Sequence, residues 1–468
     1  IQAKQAIRRN YPIIGHFRYL LESVRPEIMQ YFVETDTEGR PFNRIWRTMI
    51  YQRAKNQRDT TPFGTQMNVY DAGYEWLEHS MYPVAAEQIW ADPRVFVGGP
   101  DCNKPYLASM LNVSAMSFGS LSKNAIEALN WGAKKEGFAH NTGEGSISPH
   151  HLKHGGDLIW QIGTGYFGCR TQDGKFHPEK FREKATMEEV KMIEIKLSQG
   201  AKPGHGGILP ASKNTPEIAA IRGVEPYTAV HSPPMHSAFH DAKGLMNFIK
   251  ELRELSGGKP IGFKLCLGRR EEFDEITQAM ITTGIKPDFI TVDGGEGGTG
   301  AAPVEFSNSL GTPMRDALHY VHNQLLGYDL KKDIRLIASG KIISGFHIAR
   351  AIAMGADLCN SARAMMISIG CIQALKCNSN ECPTGVATQN PKLYKGLDVK
   401  NKAERAANFH RNTMESFVHL MAAAGFRTPD ECQPKHIHRR VSMLDTMTYE
   451  ELYPSVKTGA FLGVEMKQ

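Results

Sequence analysis

Three cysteines fall within twelve residues, Cys371, Cys377 and Cys382, in the pattern Cys-x5-Cys-x4-Cys-Pro. Thiolates grouped this tightly suit a soft metal or an iron–sulfur cluster, both of which take sulfur ligands. Asn378, Ser379, Asn380 and Pro383 exclude a regular helix, so the ligands sit on a loop. A structural zinc site closes with four ligands at shorter Cys-x2-4-Cys spacing, which this segment lacks, and three ligands therefore favour a cluster. The plain alternative is three thiols that bind nothing.

A second pattern is the run Asp293-Gly294-Gly295-Glu296-Gly297-Gly298-Thr299-Gly300, which contains Gly-x-Gly-x-x-Gly. A dinucleotide-binding reading needs the motif in a first βα unit and opening a helix, whereas these glycines run into Ala301-Ala302-Pro303 late in a series of strands. A barrel phosphate loop explains it better. Backbone N–H groups at Gly297, Gly298 and Thr299 can converge on a phosphate, with Ser339-Gly340-Lys341 as the partner loop after the seventh strand, where barrel enzymes hold phosphate.

The elements that must position these loops are repeated βα units. From about Asn112 to Met366 short apolar runs alternate with amphipathic stretches. Eight strands are predicted: Val113–Phe118, Phe138–Thr142, Leu158–Ile162, Met192–Leu197, Ile261–Leu267, Phe289–Val292, Leu336–Ala338 and Leu358–Ser361. Eight such units predict an α/β fold, a (β/α)8 TIM barrel whose functional groups lie on the loops after each strand. The expected division is an N-terminal helical cap or packing region (1–104), the barrel (105–370), the iron–sulfur loop (371–390) and a C-terminal helical tail (391–468).

Bulk composition narrows the class. With 41% apolar and 22% charged residues over 468, the chain is neither disordered nor a membrane bundle. Cys102, Cys169, Cys266, Cys359 and Cys432 show no disulfide rhythm, which fits a reducing compartment and predicts a cytoplasmic protein. The net charge of +6 is spread among acids, so nucleic acid is not an expected partner. The sequence opens at Ile1 and continues with Lys4, Arg8 and Arg9, and membrane association is expected only through a segment upstream.

On these residues the chain resembles the FMN-binding synthase domain of the glutamate synthase family, over residues 80–425. Gly370-Cys371-Ile372 to Cys377, then Cys382-Pro383-Thr384-Gly385-Val386-Ala387-Thr388-Gln389, is similar to that family's iron–sulfur segment. The resemblance implies a 3Fe-4S cluster on Cys371, Cys377 and Cys382. Segments similar to Ser114-Ala115-Met116-Ser117-Phe118-Gly119, Gly262-Phe263-Lys264-Leu265 and the two glycine loops surround FMN in the family. The implied FMN residues are Ser117, Gln199, Lys264, Gly297, Gly298, Thr299, Gly340 and Lys341. Lys264 would set a cation beside the flavin N1–C2 carbonyl edge, where it stabilises the anionic reduced ring. Gln199 would hydrogen-bond the ring edge.

Over the flavin the resemblance implies Lys202, Arg222 and Glu144. Gly200-Ala201-Lys202-Pro203-Gly204 and Ile221-Arg222-Gly223 match segments that grip the two carboxylates of 2-oxoglutarate, and Asn141-Thr142-Gly143-Glu144-Gly145 brings a carboxylate near them. Such a substrate needs cations for its carboxylates and an acid or base near the carbon that receives hydride. In this loop the family carries Glu and Gln where the chain has His205 and Ile208, so an amide donor is lost and the identity of the 2-oxo acid stays open. His150, His151 and His154, like His231, His236 and His240, have metal-compatible spacing without the rest of a site; His236, after Ser232-Pro233-Pro234, is expected to border the pocket.

The resemblance implies an FMN and iron–sulfur oxidoreductase that reductively aminates a 2-oxo acid, 2-oxoglutarate to glutamate. Ammonia would come from solution or an amidotransferase partner, and electrons from a ferredoxin or a reductase subunit. Two other readings stay open: a related enzyme acting on another imine or amino acid, and an electron-transfer flavoprotein module without a substrate.

Overall fold

A computed structural model describes residues 5–57 and 60–463; Ile1 and Lys4 lie outside the described residues. The eight βα units close into a parallel barrel. Its strands are β1 (Leu111–Val113), β2 (His140–Asn141), β3 (Leu158–Ile162), β4 (Val190–Lys196), β5 (Ile261–Leu265), β6 (Phe289–Asp293), β7 (Arg335–Ser339) and β8 (Leu358–Ser361). Each pairs with its successor and β8 pairs with β1. Strands covered on both faces carry unbroken apolar runs, and Leu158–Ile162 is buried at every position.

All eight predicted strands are present. The first is displaced: pairing ends at Val113, and Ser114–Phe118, predicted to be strand, belongs to the loop that enters the site. The helix that follows, Lys123–Glu136, begins where Ser122 accepts a hydrogen bond from the Ala125 N–H and ends at Gly137, whose φ of 65° suits glycine.

The barrel interior is layered. Ala139, Ile159, Met192, Phe289, Ile337 and Leu358 fill its lower end, plugged by the hairpin Arg94–Val97 with Tyr106–Ser109. Above them Glu194 accepts from Asn141 (2.9 Å), Gln161 (2.6 Å) and Thr291 (2.7 Å), so that a buried carboxylate is fully partnered. The upper layer, Lys196, Lys264, Asp293 and Ser339, opens into the site.

The flanks depart from the predicted cap and tail. Arg44–Ala54 packs on the long helix Val399–Ala423 and on Arg363–Ser368, behaving as a packing layer. Residues 6–33 do not: over that stretch Gly15 alone is buried. The tail is not all helix, because Ile437–Arg440 pairs with both Glu75–Leu77 and Thr446–Thr448 in a three-stranded antiparallel sheet. Glu75 ties that sheet to the barrel through Arg315 and Arg350 (2.6 Å), and is also bonded by Arg439 (2.7 Å) and Tyr449 (2.7 Å) of the tail. Among the described residues no helix is long and apolar enough to cross a membrane.

Candidate functional site

The loops after the strands enclose one cavity of about 1130 Å³. Gly297, Gly298, Thr299 and Lys341 line it, with Arg363, which the sequence reading missed. Arg363 opens the helix after β8 and donates to the Glu296 carbonyl at 2.6 Å. Burial and then the Arg363 charge hold Lys341 below the usual lysine range, so two cations crowd a pocket that an anion would relieve. Gly340 is not among the residues that line the cavity and lies in the turn before Lys341.

Ser117, Gln199 and Lys264 line the cavity as well. Lys264, 5% exposed on β5, places Nζ 3.8 Å from Asp293 Oδ2. Asp293 is itself oriented by the Gly200 N–H (2.9 Å) and the Ser339 hydroxyl (2.8 Å). The apolar strand around Lys264 thus delivers a buried lysine to the cavity.

Glu144 and Lys202 line the cavity too, together with Ile208 and Lys196. Burial alone would raise the Glu144 carboxyl, yet Lys196 at 3.1 Å, Arg222 and Lys202 hold it below its usual range, and it is ionised. Its carboxylate lies between Gly163 and Gly207: a Cβ on Gly207 would fall 1.8 Å from Oε1, and one on Gly163 2.5 Å from Oε2. Lys202 donates to the Ala301 carbonyl at 2.9 Å, and burial with repulsion from Lys196 brings it down to about 8. Lys196 was legible by the argument used for Lys264, a lysine at the end of an apolar strand.

Arg222 does not join that group. It lines no part of the cavity, donates to Ser117 Oγ (3.2 Å) and the Phe118 carbonyl (3.1 Å), and stacks on Phe167 at 5.1 Å. His236 also stays behind the wall, bonded to the Lys196 carbonyl (2.9 Å) and the Tyr166 hydroxyl (3.0 Å). His150 bridges Glu127 and Glu217 near the surface.

Cys371, Cys377 and Cys382 share one wall of the cavity. Among the described residues no three His, Cys, Asp or Glu side chains are gathered tightly enough for a single metal ion. Burial pushes Cys371 up to about 12. Burial would also raise Cys382, but the Thr384 hydroxyl and the N–H groups of Ala387, Thr384 and Val386 outweigh it and hold this thiol low. Lys213, also unforeseen, is 2% exposed and donates to the carbonyls of Ser120 (3.0 Å), Cys377 (2.8 Å) and Ala387 (2.9 Å). Tyr51 from the N-terminal layer secures the Cys371 carbonyl at 2.7 Å.

The conserved region of glutamate synthase matches residues 94–427. The glutamate synthase large subunit-like protein YerD of Bacillus subtilis is 38% identical over 93% of this chain and 90% of its own length. The archaeal glutamate synthase (NADPH) of Methanocaldococcus jannaschii is 32% identical over 69% of the chain, which spans 60% of that protein. The glutamate synthase (NADPH) large chain of B. subtilis is 31% identical, and the chain spans 20% of it. Among solved structures, a flavocytochrome b2 mutant with sulfite bound is a distant likeness at 11% identity and a TM-score of 0.49, over 92% of this chain and 86% of that one. The match across the barrel and the cysteine loop, with relatives above 30% identity, makes the chain a member of the glutamate synthase family of oxidoreductases.

Proposed function

We propose that the chain is an FMN and iron–sulfur dependent oxidoreductase of glutamate synthase type that reductively aminates a 2-oxo acid, with ammonia and electrons supplied from outside. One observation carries this: a single cavity is lined by the crowded cations Lys341 and Arg363, by the buried Lys264, by an ionised carboxylate between lysines and by three cysteines. The residues fit both groups. Lys341, Arg363 and the Gly297–Thr299 backbone would hold the FMN phosphate, and Lys264, Gln199 and Ser117 would face the ring. The three cysteines would hold the cluster, whose bridging sulfides separate its ligands more widely than a single ion would, and Cys382 already has four donors for a thiolate.

Bound there, FMN would supply hydride chemistry and a cluster single-electron chemistry. The chain's own residues do the rest. Lys202 pairs with the substrate carboxylate, and Asp293 fixes Lys264 in place. Glu144, held ionised, accepts and returns a proton at the nitrogen that enters the substrate. The test is anaerobic turnover of 2-oxoglutarate, ammonium and a reduced low-potential donor by protein reconstituted with FMN, iron and sulfide. Glutamate formation is expected; no amino acid formed from any 2-oxo acid offered overturns the reading.

A second reading of the substrate has its own support. Arg222 is engaged behind the wall and Ile208 lines the cavity, which leaves Lys202 as the cation best placed for a carboxylate. A 2-oxo acid with one carboxylate and an apolar side chain fits that lining better than a dicarboxylate. The ratio of kcat/KM for 2-oxoisovalerate to that for 2-oxoglutarate decides between them.

A further inference from the structure

The segment from Ala6 to Val33 folds on itself and offers its apolar side to solvent. Arg8 lies over the Tyr19 ring at 4.4 Å, and the Tyr11 N–H donates to the Ile7 carbonyl at 2.8 Å, so the short helix Ala6–Asn10 closes onto Gly15–Ile28. Phe17, Leu20, Leu21, Val24 and Ile28 recur at helical spacing and fall within an arc of about 100°. They are 66%, 58%, 60%, 38% and 40% exposed. In an ordinary surface helix such a stripe faces the core. Here the same exposure continues through Ile13 and Ile14 before the helix and Tyr31 and Phe32 after it.

A 14-residue helix without tertiary cover is marginal in water, so something must cover this one. We infer that the arm Ala6–Val33 lies in the surface of an anionic lipid bilayer, apolar stripe down. Charge supports that occupant. The arm carries Arg8, Arg9, Arg18 and Arg25 against Glu22 and Glu27, and Glu22 is already paired with Arg18 at 2.9 Å. Arg18 and Arg25 project from one flank of the stripe, where a long basic side chain reaches lipid headgroups while its stem stays in the apolar layer. Of the acids that follow, Glu34 turns inward to Arg47 (3.9 Å) and Asp36 is paired with Arg44 (3.5 Å) at the surface.

Shape argues the same way. Pro26 interrupts the helix and Met29–Val33 forms a wider turn, yet the apolar residues continue across both. A fluid surface covers such an irregular stripe, whereas the same stripe on a second copy would require matched ridges and grooves. Aromatic side chains at both ends, Tyr11 and Phe17, then Tyr31 and Phe32, are of the kind that settle at the headgroup boundary.

The experiment is flotation of the full chain with vesicles of phosphatidylcholine and of phosphatidylcholine mixed with phosphatidylglycerol. The protein should float with the mixed vesicles, at least tenfold less with the neutral ones, and less as salt is raised. Leu20→Glu with Leu21→Glu should abolish flotation while leaving the thermal midpoint unchanged, since neither residue packs on the body. Arg18→Gln with Arg25→Gln should remove the preference for anionic lipid. Failure to float with either vesicle, or flotation indifferent to the leucine substitutions, overturns the inference. So does a dimer in light scattering that the leucine substitutions dissociate, because the stripe would then belong to a second copy.

Discussion

Replacing Lys213 by Met should loosen the cysteine segment before anything else. The ammonium serves three carbonyls, of Ser120, Cys377 and Ala387, and methionine fills much the same space with no donor. Each buried carbonyl left without a partner costs about 1–3 kcal/mol, or about 6 kcal/mol for three. Against that, burial brings Lys213 from 10.5 down to about 8, a penalty of about 3 kcal/mol on its charged form that methionine escapes. The net loss is about 3 kcal/mol and falls on the loop. Its sign with pH follows. The unfolded chain holds this proton more tightly than the folded one, so wild-type, metal-free protein gains stability as pH rises from about 8 toward 10.5, and the variant loses that gain.

Hydrogen exchange of metal-free protein measures the effect directly. A loss of about 3 kcal/mol in local opening accelerates amide exchange by a factor on the order of 100. That acceleration should be confined to residues 371–389, with the barrel strands unchanged. After reconstitution the variant should retain less iron per chain, and what it retains should have a lower reduction potential, since a fixed positive charge beside the sulfurs is gone. Unchanged exchange at 371–389 would refute the strut. Wild-type protein that takes up no iron while the exchange difference persists would instead refute the cluster and leave the strut standing.

Other consequences follow from single residues. Arg363→Leu should weaken FMN about 10- to 100-fold, the loss of one or two charge-assisted hydrogen bonds, while riboflavin binds as before; equal effects on both would place Arg363 away from the phosphate. Glu75 is raised by burial but brought down to about 2 by Arg350, Arg315 and the Tyr449 hydroxyl. A depressed carboxyl stabilises the fold above its free value and loses that stabilisation as pH falls from about 4.5 to about 2, so Glu75→Gln should cost about 3 kcal/mol at neutral pH and flatten acid unfolding in that window. Lys202 at about 8 should lose its carboxylate-pairing charge as pH rises, so KM for the 2-oxo acid climbs about tenfold per pH unit above that value, and a flat profile to pH 10 would remove Lys202 from the substrate site.

Most of the barrel was readable because parallel strands buried on both faces leave uninterrupted apolar runs, as at Leu158–Ile162 and Ile261–Leu265. The first strand was misplaced because the small residues Ser114-Ala115-Met116-Ser117 have no period of their own. Site residues at the end of a strand or on the loop directly after one, Lys264, Glu144 and Lys341, could be placed once the barrel was recognised. Lys213 and Arg222 could not, since each acts through contacts between segments far apart in sequence: Lys213 reaches the cysteine loop, and Arg222 reaches back to Ser117. No local pattern distinguishes a lysine that supports three carbonyls from one that faces solvent. The outward stripe of Gly15–Ile28 was invisible for a related reason: amphipathic spacing says that a helix has an apolar side but not where that side points.

The loop after β1 touches both the supports of the cysteine segment and Arg222. Ser120 gives its carbonyl to Lys213, and its hydroxyl lies 3.1 Å from that of Ser117. Gln389, from the cysteine segment, donates to the carbonyls of Gly119 (3.0 Å) and Leu121 (2.7 Å). Arg222 holds the same loop at Ser117 and Phe118, and its charge helps keep Glu144 ionised. Displacing the cysteine segment therefore moves the partners of Arg222, and with them the field on Glu144. Contiguity alone does not establish coupling, but it makes a double-mutant cycle decisive. Lys213→Met and Arg222→Met loosen one loop from opposite sides, so the second substitution should cost less in kcat when the first is present, by more than about 0.5 kcal/mol. Strict additivity would mean that the cysteine wall and Glu144 work independently despite sharing that loop.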